Sequence, residues 1–219
     1  MKKSKIRLMV ELLNNKQYKE LNINYKDIIK VIFPHVDEDD ILNCYQFKGN
    51  KVDLIIVCKG VYKYISVRGK TSFFVFKGDL KILTKFLFSI GFSYNAVSEI
   101  LSFKNNTYIY SLNNVFQEDI YYKNSILNAE LKDKFKFNKL MDFLLVKEKN
   151  DINVDYFYFG NEKKGEVIDT IELCRNLYEN KMQENNLYKI GPFNFMNSVY
   201  ENTCVLKINL YKYKKNNRV

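Results

Sequence analysis

Asp53 lies in a stretch, Lys51 to Cys58 (KVDLIIVC), that reads as a β-strand. Lys59-Gly60 follows as a turn, and Val61 to Arg68 (VYKYISVR) reads as a second strand closed by Gly69. A two-residue loop makes paired positions sum to a constant, so Asp53 faces Ser66. Side chains alternate faces with period two, which places Asp53, Ser66 and Arg68 on one face. A carboxylate on one strand with a cation two residues along its neighbour has the spacing of a metal-dependent phosphodiester hydrolysis site. There the acid holds Mg²⁺, and the cation orients water or stabilises charge on phosphorus. Ser66 stands where such a site carries a second carboxylate. The plainer reading of the same residues is a strand-edge aspartate among ordinary strand residues.

Other chemistries find no support. The chain contains no P-loop, dinucleotide fingerprint or nucleophile elbow. Its one histidine, His35, sits beside Pro34, which leaves no basis for a Ser-His-Asp or Cys-His arrangement. The four cysteines (Cys44, Cys58, Cys174, Cys204) include no C-x-x-C pair, so a structural zinc site is not expected and buried, reduced thiols are.

The formal net charge of +10 creates a field that attracts phosphate backbones or acidic partners. Lys and Asn abound throughout, which AT-rich coding also produces. In Tyr211-Lys212-Tyr213-Lys214 the tyrosines interleave with lysines, a pattern suited to stacking bases and holding phosphates. Lys70, Lys207, Lys212, Lys214, Tyr211 and Tyr213 are the candidate nucleic-acid contacts. For the tyrosines, the alternative is a strand whose rings cover a sheet face.

Several elements must position these residues. A first helix is expected from Ser4 as N-cap, with Ile6, Met9, Val10 and Leu13 as its buried stripe and Arg7 and Glu11 on the other face. A second covers Tyr25 to Ile32 and stops before Pro34. The acidic run Asp37 to Asp40 is a helix start or a solvated loop. Further helices are expected over Asp79 to Ile90, from Ser93 with Val97, Ile100 and Leu101, around Phe137 to Leu145, and from the capping box Asp169/Glu172 to about Lys181. Strands are expected over Asn153 to Phe159 and Thr203 to Tyr213, while Thr107 to Leu112 is strand or loop. With only eight glycines and two prolines, long linkers are improbable, and one domain over residues 1–219 is expected. No apolar run is long enough for a membrane helix, and Arg7 and Glu11 interrupt any signal-peptide core. A cytoplasmic protein without a membrane partner is the expectation.

The motifs Glu11-Leu12-Leu13-Asn14-Asn15-Lys16, Lys51-Val52-Asp53-Leu54 and Ile65-Ser66-Val67-Arg68-Gly69-Lys70-Thr71-Ser72 occur in that order. They are followed by a long helix and, late in the chain, by Lys189-Ile190-Gly191-Pro192-Phe193. Together they resemble the PD-(D/E)xK nuclease superfamily, in particular restriction-type proteins of low-GC bacteria. The resemblance implies an α/β fold with a central mixed β-sheet flanked by helices, restriction-endonuclease-like. It implies Asp53 and Glu11 as Mg²⁺ ligands and Asp53, Ser66 and Arg68 as the catalytic positions, with Arg68 in the place of a lysine. Arginine stabilises charge but does not shuttle protons at ordinary pH. The implied function is a Mg²⁺-dependent DNA phosphodiesterase, or a degenerate relative that only binds, in bacterial defence, with DNA favoured over RNA. A reading from another class is a non-enzymatic phage or mobile-element inhibitor of a nucleic-acid-guided defence complex, with a protein or ribonucleoprotein partner. A toxin or regulatory module is a third.

Overall fold

The computed structural model describes residues 2–69, 72–101, 126–148, 150–161, 164–181, 189–197 and 203–210. Lys70, Tyr211, Lys212, Tyr213, Lys214 and the segment Thr107 to Leu112 lie outside the described residues. Contacts divide the chain into two compact units, residues 1–71 with 145–173 and residues 72–144 with 174–219.

The first unit is built on a mixed six-stranded sheet of order β1-β2-β3-β4-β6-β7. Its strands are β1 (Lys16–Gln17), β2 (Ile41–Gln46), β3 (Leu54–Cys58), β4 (Val61–Arg68), β6 (Tyr156–Gly160) and β7 (Gly165–Asp169). All pairings are antiparallel except β4 with β6, which is parallel. Parallel neighbours need a long crossover, and here the chain runs through the second unit between them.

One face of this sheet is covered by α1 (Lys2–Leu13) and α2 (Ile23–Ile32). The expected stripe of α1 is buried: Ile6, Met9 and Leu13 join Leu42, Cys44, Leu54, Ile56, Ile65 and Val67 in one apolar cluster, with Val10 packed against it. The helix begins two residues before Ser4. Asn22 caps α2 by accepting from the Tyr25 N–H at 3.0 Å, and the helix ends at Ile32 ahead of Pro34. The acidic run is a loop. Its Asp37 and Asp40 carboxylates hold the Lys59 ammonium at 2.6 and 2.8 Å. Lys59 and Gly60 both have positive φ, 48° and 75°, as a tight hairpin turn demands.

The second unit carries an antiparallel sheet of order β5-β10-β9-β8: β5 (Ser72–Asp79), β8 (Lys189–Ile190), β9 (Phe193–Asn197) and β10 (Thr203–Asn209). Asp79 caps α3 (Leu80–Ser89), accepting from Lys81 N–H at 2.8 Å. Helical residues 94–101 (α4) and 126–130 (α5) precede α6 (Lys134–Met141), which continues as a π-turn over Asp142–Val146. Leu83, Leu87, Val97, Ile100, Phe137 and Leu140 are buried here, whereas Leu101, expected on the apolar stripe, is exposed. Helix α7 (Thr170–Lys181) starts as expected, with the Asp169 carboxylate on the N–H groups of Ile171 and Glu172.

Candidate active site

The hairpin has the register read from its turn: Leu54 pairs with Ile65 and Cys58 with Val61. The strand β3 begins at Leu54, not at Lys51, because the ladder changes character there. Asp53 N–H still donates to Ile65 C=O at 2.9 Å. Beyond it, side chains take over. The Asp53 Oδ2 accepts from Val67 N–H at 2.8 Å, and the Ser66 hydroxyl donates to Lys51 C=O at 2.6 Å. Two residues read as catalytic thus close the open end of the hairpin, satisfying backbone groups that would otherwise be buried unpaired.

Arg68 completes the cluster. Its Nη1 lies 3.3 Å from Asp53 Oδ2 and 3.3 Å from Val67 C=O. The side chains of Arg68 and Asp53 are 14% and 10% exposed, so this is a largely desolvated ion pair. Burial pushes the Arg68 pKa below its ordinary value, and the Asp53 charge opposes that shift. A guanidinium starts so high that it stays charged.

The approach to Asp53 is fixed from across the unit. Glu148 Oε2 accepts from Lys51 N–H at 2.6 Å and from Val52 N–H at 3.2 Å. On the other side of β4, Asp155 Oδ2 accepts from Tyr64 N–H at 2.8 Å, and Asp155 N–H donates to Tyr64 C=O at 2.8 Å. That pair starts the parallel pairing in which Arg68 stands opposite Phe159. Neither Glu148 nor Asp155 lies in a motif that announces it. Each acts across more than 90 residues, so no local spacing reveals the contact.

Glu11 lies elsewhere in its bonding. Its side chain is 53% exposed on α1 and accepts from Arg7 Nε at 2.9 Å, an (i, i+4) pair. Of the expected nucleic-acid contacts, Lys207 is described. It sits on β10 with its ammonium 5.9 Å from the Phe74 ring centroid.

Mg²⁺ takes near-octahedral oxygen coordination, usually with one or two carboxylates plus water and phosphate. Among the described residues no three His, Cys, Asp or Glu side chains gather where they could hold a metal ion. Asp53 Oδ2 is already shared by an N–H and a guanidinium, and that adjacent positive charge opposes a dication. The Ser66 hydroxyl is turned to Lys51. This donor set does not fit Mg²⁺.

No protein-family model matches the chain, and no curated protein matches it in sequence. In three dimensions it is similar to the crystal structure of restriction endonuclease MspI in complex with its cognate DNA. That likeness covers 90% of this chain and 86% of that one, with a TM-score of 0.57 and 10% sequence identity. The fold is therefore α/β and restriction-endonuclease-like, with a mixed sheet flanked by helices, as the hairpin and helix motifs implied.

Proposed function

We propose that this chain binds DNA and that its nuclease-like site is a degenerate one that does not cleave. Its fold is shared with a protein solved on DNA, and its +10 charge suits a phosphate backbone. The observation that carries the degenerate reading is the buried Arg68–Asp53 pair at 3.3 Å, in which a fixed side-chain cation stands against the carboxylate and opposes a dication there. Arg68 also cannot serve as a proton donor or acceptor at ordinary pH. In this reading Asp53, Ser66 and Arg68 hold the hairpin end in shape, and affinity comes from basic side chains elsewhere.

The test is a titration of a labelled duplex at low and moderate salt, with parallel incubations in Mg²⁺ and Mn²⁺. Binding that weakens steeply with salt, with the duplex left intact, is the expected result. Absence of binding at low salt to this duplex and to a labelled single strand overturns the DNA reading. Metal-dependent cleavage by the wild-type protein, lost in Asp53→Ala, overturns the degenerate one.

A further inference from the structure

The four-stranded sheet of the second unit contains a side-chain cluster that its sequence spacing conceals. Phe74 and Lys77 are three apart on β5, so in a regular strand they point to opposite faces. The β5–β10 pairing, however, shifts register between Leu206 and Lys207. Leu206 pairs with Phe76 and Lys207 with Phe74, leaving Val75 as the extra residue of a bulge. Because Val205 and Lys207 share a face of β10, their partners Lys77 and Phe74 share it too. On the next strand Asn194 pairs with Lys207.

The bulge therefore gathers an aromatic ring and two ammonium groups on one sheet face. Phe74 is 58% exposed, a large apolar ring left in water. Lys207 Nζ stands 5.9 Å from its centroid, and Lys77 is exposed. Asp79 continues the same face, but its carboxylate is turned to Lys81 N–H as the cap of α3. The opposite face carries the buried Cys204, Leu206 and Ile208, whereas Phe74, Lys77 and Asp79 on this one are exposed.

We infer that this face binds a nucleic-acid single strand, with Phe74 stacking an unpaired base and Lys207 and Lys77 neutralising the flanking phosphates. The inference rests on the nucleic-acid reading above and narrows it. An exposed ring beside lysines is complementary to a strand whose bases are free to stack and whose backbone is anionic. A closed duplex offers the phosphates but no base face. Asn194 adds a hydrogen-bonding group beside the stacked base, and no base identity is required for stacking.

The experiment compares a labelled oligothymidylate with a duplex of equal length by fluorescence anisotropy, using the full chain. Phe74→Ala is expected to weaken single-strand binding about tenfold or more. It leaves duplex binding within about twofold, and the salt slope is unchanged. Lys77→Gln with Lys207→Gln is expected to lower the single-strand slope of log K against log salt by about 1.4. Phe74→Tyr retains a stacking ring and restores affinity. If the wild type binds the oligothymidylate and all these variants bind it equally, this face is not the site, although the nucleic-acid reading stands. If the wild type binds only duplex, the single-strand inference fails in the same way. If the wild type binds neither, the parent reading fails and this inference with it.

Discussion

Arg68→Met removes the guanidinium and keeps most of the apolar stem. It leaves the Asp53 carboxylate, 10% exposed, with the Val67 N–H at 2.8 Å as a retained partner. Breaking a buried pair on one side costs about 3–5 kcal/mol, because the surviving charge stays desolvated. The retained hydrogen bond and the residual exposure place this case at the lower end, about 3 kcal/mol. For a urea m-value of about 2 kcal/mol/M, the unfolding midpoint falls by about 1.5 M. Asp53→Asn keeps an oxygen for Val67 N–H but leaves Arg68 facing a neutral amide, and it is destabilising too. With both changes no charge remains, so the double variant is more stable than the sum of the singles implies, by about 1.5 kcal/mol or more. Far-UV circular dichroism in urea on the four proteins measures the cycle. A midpoint shift below about 0.4 M for Arg68→Met, with additive singles, refutes the reasoning. The pair is then solvated, and Arg68 does not block a metal's place beside Asp53.

Glu148→Ala leaves Lys51 and Val52 N–H without their acceptor and costs about 2 kcal/mol. Amide exchange at those two residues is expected to speed up more than tenfold, and unchanged protection there would show that the hairpin end holds without Glu148. Burial acts to raise the Glu130 pKa, but hydrogen bonds from Lys136 and Ser93 prevail and hold it below the ordinary carboxylate value. A depressed folded pKa gives stability that is full above the unfolded value of about 4.3 and is lost as pH falls through the folded one. Glu130→Gln is therefore expected to flatten the fall in thermal midpoint on the acid side. Parallel curves for the two proteins would contradict this.

The hairpin was legible because two local signals agree. Apolar alternation runs on both sides of Lys59-Gly60, and that turn admits one register. The end of α2 and the start of α7 were legible for the same kind of reason, since Pro34 and Asp169 act within a turn of chain, whereas α2 starts at Ile23 on its Asn22 cap, two residues before the expected Tyr25. The strand β2 is not legible in the sequence, because Ile41 and Tyr45 are apolar on its outer side as Leu42 and Cys44 are on its inner side, which erases the alternation. The bulge at Val75 does the same to β5 by breaking the period of two. The parallel pairing of β4 with β6 joins segments about 90 residues apart, and nothing in either strand names the other. The site divides along the same line. The register from Cys58–Val61 to Leu54–Ile65 followed from the turn, whereas the Glu148 and Asp155 anchors depend on tertiary placement.

The presence of Asp53 does not by itself argue for catalysis, because the backbone uses it. Its carboxylate replaces a missing ladder acceptor for Val67, as the Ser66 hydroxyl supplies a donor for Lys51. This has a consequence for attempts to rebuild a metal site. Arg68→Lys alone keeps a cation near Asp53 and loses only the planar fork, a change of about 1–2 kcal/mol. Adding Ser66→Asp removes the 2.6 Å donor to Lys51 C=O and sets a carboxylate oxygen against that carbonyl at a position with no solvent exposure. Two acceptors facing each other in the interior cost about 3 kcal/mol or more. The double variant is thus expected to be far less stable than Arg68→Lys and to leave a duplex intact in Mg²⁺, because the strand end must open before a second carboxylate fits. Urea unfolding and an endonuclease assay on both proteins decide it. A double variant as stable as the wild type that cuts DNA with Mg²⁺ would mean that the hairpin end accommodates a metal, and that Arg68 and Ser66 alone hold the site inactive.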